Sequence, residues 1–154
     1  MNIKKYLTLP NLLCVFIAFV FIQSLPFKFS NHVNTQHIFG TLAEWSGFDW
    51  FGAYGGYMVG TAELVAAILL FTALRGLGSI MAVGIMTGAI YFHLFTPLGI
   101  VMPNIDPTTG AHIGDDGGAL FIMACITWLC AIIVSVLEYR NPESILSKLL
   151  TKSA

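Results

Sequence analysis

Residues 60–88 read GTAELVAAILLFTALRGLGSIMAVGIMTG, and the only charged side chains among them are Glu63 and Arg75. One apolar run enters Arg75-Gly76 and another leaves it. Two helices must therefore double back at this short turn and lie as antiparallel neighbours. Each run approaches the roughly 20 apolar residues that cross a bilayer. The stretch thus reads as the centre of a membrane protein, with Glu63 as an expensive exception inside it.

Working outward, four runs of this kind are expected, over 8–25, 54–74, 77–95 and 119–137. The first is TLPNLLCVFIAFVFIQSL. It is too long for the apolar core of a signal peptide, and PFKFSNH after it lacks a small-residue cleavage pattern. A retained first helix is the better reading. Charged residues make up 10% of the chain, against about 25% in a soluble domain. The 154 residues suffice for one membrane domain and not for a second sizeable one. With no Lys/Arg tract or basic groove, nucleic acid is not an expected partner. Membrane lipid is.

Six of the seven basic residues fall on one side of these spans: Lys4, Lys5, Arg75, Arg140, Lys148 and Lys152. The positive-inside rule then puts both termini in the cytoplasm and the 28–53 and 96–118 loops outside. Within the first loop Ile38, Leu42 and Trp45 share a helical face. Thr35 is a plausible N-cap and Gly47 a stop. This segment reads as a short amphipathic helix at the outer interface. In the second loop Pro97, Pro103, Pro107 and several glycines speak against regular structure. The expected fold class is all-α: a polytopic membrane four-helix bundle with a short outer interfacial helix, one domain over 1–154. Gly52, Gly56 and Gly60 on one helix and Gly84 and Gly88 on the next are spaced for close helix approach, within the chain or in a homo-oligomer.

Against this apolar background the candidate site residues are few. Glu63 must be paired, hydrated or protonated. It reads either as a packing device or as a proton-carrying or ligand-binding carboxylate. Lys28, just past the first run, is the only basic residue on the outer side. It is either a snorkelling lysine or the partner of an acidic residue. His93 either hydrogen-bonds a loop carbonyl or exchanges protons near neutral pH. Asp115 and Asp116 precede the fourth run, where one of them can cap the helix and the other is spare. His112 completes His-x-x-Asp-Asp, which with His93 offers nitrogen and oxygen donors to a divalent metal without matching a known metal spacing. Cys14, Cys125 and Cys130 form no CxxC and read as packing residues. There is no nucleophile elbow, P-loop, dinucleotide fingerprint or haem-attachment motif.

The segments FIQSLPFKFS (21–30), GTAELVA (60–66), GIMTGAIYFHL (84–94) and DDGG (115–118) occur in an order that resembles the DoxX-like family of small membrane proteins. The resemblance implies a helical bundle in a bacterial cytoplasmic membrane, near quinone-linked or thiol-redox systems. It makes Lys28, Glu63, His93, Asp115 and Asp116 the binding positions, with quinone as cofactor. Without a CxxC, thiol chemistry would need a redox partner subunit. The expected function is an outward-facing polar pocket for a quinone-like or other small ligand. Lys28 would orient a carbonyl, and Glu63 and His93 would act catalytically as proton exchangers. Two other readings stay open: a noncatalytic assembly subunit, and a proton, metal or solute transporter built from several copies.

Overall fold

A computed structural model describes residues 8–151 of the chain. In order it contains α1 (Leu9–Phe29), α2 (Val33–Ser46), α3 (Asp49–Leu69), α4 (Arg75–Phe95), β1 (Pro103–Ile105), β2 (His112–Asp115), α5 (Ala119–Arg140) and α6 (Ile145–Thr151). The all-α four-helix bundle with one short outer helix is therefore corrected. Among the described residues there are six helices and an antiparallel two-stranded hairpin. Three helices, α1, α4 and α5, are long and apolar enough to cross a membrane. The chain is a multi-pass membrane protein on their account. α3, which carries Asp49, Glu63 and several glycines, is as long but is not one of these three.

Local chemistry explains each departure. α1 continues through Pro26 to Phe29, four residues past the expected end. Lys28 therefore sits in its last turn, where a cation suits the helix dipole. α2 starts earlier than expected. His32 caps it by accepting from the Asn34 amide, and Thr35 is instead buried with its hydroxyl donating to the Phe27 carbonyl at 3.0 Å. Gly47 ends it in the left-handed conformation, φ +73°, which costs glycine nothing. The hairpin arises at Asp106-Pro-Thr-Thr-Gly110. There the Asp106 carboxylate accepts the amides of Thr108 and Thr109, both at 2.8 Å. The Asp106 amide closes the turn onto the Ala111 carbonyl. α6 follows the break at Asn141-Pro142, with the Ser144 hydroxyl accepting the Ser147 amide.

The four long helices pack α1 on α3, α3 on α4, α4 on α5 and α5 on α1, while α2 crosses α3 and reaches β1. Two apolar clusters result. One joins Cys14, Ile17, Phe21, Ala66, Leu70, Ala82, Met86, Ala124 and Val134. The other joins Phe39, Leu42, Leu98 and Met102 near the hairpin. At the end away from the hairpin, Arg75 meets Glu138 at 3.5 Å and α6 lies on α4. Arg75, Arg140 and Lys148 all lie at or beyond this end of the helices. Lys4, Lys5 and Lys152, counted with them for topology, lie outside the described residues.

The glycines divide into two kinds. A Cβ at Gly56 would stand 2.8 Å from Thr35 Cγ2, and one at Gly60 would stand 3.3 Å from Lys28 Cβ. That seam is filled by α1 and α2 of the same chain. Gly84 and Gly88 were also expected to be a packing seam, but a Cβ at either would meet nothing within 4 Å. They face open space.

Candidate functional site

The open space is a cavity of about 470 Å³ lying between the two apolar clusters. It takes Met86 and Ala124 from one and Phe39, Leu42 and Leu98 from the other. Every long helix and α2 contribute to its wall. The wall is apolar except for Gln23, Ser24, Lys28, Glu63 and His93. A largely apolar concavity with a few convergent polar groups is the usual form of a small-molecule site.

Lys28, Glu63 and His93 are thus brought to one cavity. Lys28 Nζ lies 2.8 Å from Glu63 Oε2, with the two side chains 18% and 5% exposed. The pair answers what a carboxylate in an apolar helix needs, which is a counter-charge. Ser24, which the sequence reading missed, completes a triangle. Its hydroxyl accepts from Lys28 Nζ at 2.7 Å and lies 3.0 Å from Glu63 Oε2. It also lies 2.7 Å from the Phe21 carbonyl. A hydroxyl has one proton, so Ser24 donates either to the carboxylate or to its own helix. The signal for Ser24 was its spacing of four residues from Lys28, which puts both on one helix face. Pro26 between them argued that the helix had already ended.

The donor count defines what this corner still offers. An ammonium has three protons, and Lys28 gives one to Ser24 and one to Glu63. One remains. Glu63 Oε2 takes both contacts, and Oε1 has no hydrogen-bond partner among the described residues. His93 is buried, and the Gly99 carbonyl lies 2.5 Å from its Nδ1. A carbonyl only accepts, so Nδ1 carries a proton and Nε2 is the nitrogen left for a ligand. Lys28, Glu63 and His93 therefore present one ammonium proton, one carboxylate oxygen and one imidazole nitrogen to the cavity.

The two aspartates do not line the cavity. Asp116 is the anchor of the hairpin. Its Oδ1 accepts the amides of Met102 at 2.7 Å and Gly118 at 2.9 Å, and its Oδ2 accepts Leu120 at 3.0 Å in the first turn of α5. Partial burial pushes its carboxyl up. The Leu120, Met102 and Gly118 amides and the nearby His93 outweigh this and hold it below the usual carboxylate range. Asp115 is exposed in β2, where its carboxylate accepts the Gly117 amide. His112 is exposed on the same strand, paired with Ile105. Among the described residues no three His, Cys, Asp or Glu side chains group so as to hold a metal ion.

Comparison of the chain with family models, with curated proteins and with solved structures gives no match.

Proposed function

We propose that this chain binds a quinone-like carbonyl compound in its cavity in support of membrane redox chemistry. The observation that carries this reading is the Lys28–Glu63 pair, with a spare ammonium proton and a spare carboxylate oxygen, set with His93 in a largely apolar cavity. A flat carbonyl compound has the complementary chemistry, an apolar ring with acceptors at its edge. When bound, a quinone supplies two-electron, two-proton redox chemistry. Lys28 donates to a ligand oxygen. Glu63 Oε1 and His93 Nε2 accept from ligand hydroxyls or return protons to them. The walls of Phe39, Leu42 and Met86 exclude water and strengthen these contacts. The electrons come from the redox group of a partner subunit, because Cys14, Cys125 and Cys130 are unpaired thiols and supply no CxxC.

The order of Lys28, Glu63, His93 and Asp115-Asp116 supports a place among DoxX-like proteins. The basic residues support an outward-facing hairpin end, and the resemblance to DoxX-like proteins implies a bacterial cytoplasmic membrane. Equilibrium binding of a tailless dimethoxy-methyl-benzoquinone to the purified protein tests the reading. Saturable binding that is lost when Lys28 and Glu63 are both replaced by Met, with folding intact, is the expected result. Equal binding to that variant contradicts it.

A further inference from the structure

We infer that the cavity is entered from the lipid, through the seam between α3 and α4, and that its ligand carries a single apolar tail lying in that seam. The inference rests on the reading of the cavity as a headgroup site and adds the route and the tail.

A second, shallower groove of about 520 Å³ runs on the outside of α3 and α4. Tyr57, Thr61, Val65 and Met81 line it, together with Met58 and Ala62. Met58 and Ala62 also line the main cavity. One flexible methionine and one alanine thus stand between the interior and the outer face. Methionine has three rotatable bonds and repacks readily, so rotation of Met58 leaves only the Ala62 methyl in this wall.

On the α4 side, two of the residues lining the cavity are glycines, which place no side chain in the seam. Gly84 and Gly88 line the cavity and have open space where a Cβ would be. Elsewhere in the membrane helices, Gly56 and Gly60 are spaced the same way but are filled by their neighbours. Close helix packing therefore does not account for Gly84 and Gly88. A chain passing between α3 and α4 does.

The seam is flanked by α4, which is apolar enough to cross the membrane, so acyl chains border it. A water-soluble ligand gains nothing from a portal of Met, Ala and Val. An amphiphile gains at both ends: its head meets Lys28, Glu63 and His93, and its tail stays against apolar surface throughout. Gln23 and Leu120 are exposed cavity residues on α1 and α5 and mark the alternative exit.

The test uses a benzoquinone with a decyl chain ending in a diazirine, bound to the full chain in lipid nanodiscs. After irradiation the labelled residues are mapped by peptide mass spectrometry. The expected label falls on Tyr57, Thr61, Val65 or Met81. Excess tailless benzoquinone suppresses it, and Gly84→Leu, whose side chain enters open space, abolishes it. Competed label around Gln23 and Leu120 instead would overturn the α3/α4 route while leaving the headgroup site intact. Groove label that the tailless compound does not suppress would mean a tail merely dissolved in surrounding lipid, and would also overturn the route. Equilibrium binding of the tailless compound reports separately on the headgroup site. Its absence would remove the site and this inference together.

Discussion

Lys28 and Glu63 hold each other in place, and each is costly without the other. Removing one partner of a buried pair costs up to about 3–5 kcal/mol, whereas replacing both by apolar residues of similar volume is often neutral. Glu63→Gln or Lys28→Met alone should therefore lower the thermal midpoint in detergent, and the double replacement by Met should restore it. Recovery of stability without recovery of quinone binding separates the pair's function from its packing. A double variant less stable than either single one would mean the pair is mainly structural. Asp116 makes a prediction of a different kind. Its carboxyl is depressed in the folded chain, so the stabilisation it gives is complete above the unfolded carboxyl's pKa of about 3.9. It is lost as pH falls through the lower folded value. Hydrogen exchange at the Met102, Gly118 and Leu120 amides should accelerate across that acid window in the native chain. Asp116→Asn should show a flat profile there, which also separates it from Asp106 titrating in the hairpin turn. Lys28, Glu63 and His93 were legible in the sequence because charge and imidazole stand out in apolar runs. Ser24 was not, because a serine in a membrane helix is ordinary until the helix is known to continue past Pro26. The sequence also left open which aspartate caps α5, since both precede it and only the hairpin register points Asp116 at the amides.

Helices α1, α3, α4 and α5 were readable from apolar runs, with ends displaced by a few residues. The hairpin was not, because prolines and glycines mark a break without showing what forms between breaks. Its local signal was Asp106-Pro-Thr-Thr-Gly110, a carboxylate placed to take two turn amides with Gly110 at φ +70°. α6 was hidden in the same way behind Asn141-Pro142. Glycine spacing gave equal weight to two pairs that differ in kind. Gly56→Ala forces its Cβ against Thr35 and should cost about 1–3 kcal/mol, the scale of overpacking. Gly88→Ala enters open space and gains the helix preference of alanine over glycine, about 1 kcal/mol. Thermal unfolding of the two variants in the same detergent should therefore move in opposite directions. Equal losses in both would mean that α4 packs more tightly than its open face indicates.

Across the whole molecule, two apolar clusters hold the helices and leave the space between them to a cavity with one charged corner. The cluster remote from the hairpin fixes α1, α3, α4 and α5. The cluster beneath the hairpin brings α2 and the loop after α4 over the cavity. Neither cluster includes Lys28 or Glu63, and the proposed function gives that pair to the ligand. The measurement closest to this claim is native mass spectrometry of the protein released from its own membranes with endogenous lipid. The prediction is one stoichiometric quinone-like molecule on the native chain, absent from a folded Lys28→Met/Glu63→Met variant. Native protein carrying only ordinary phospholipid, with a reproducible second polypeptide, would contradict the cavity as a ligand site and make the chain an assembly subunit.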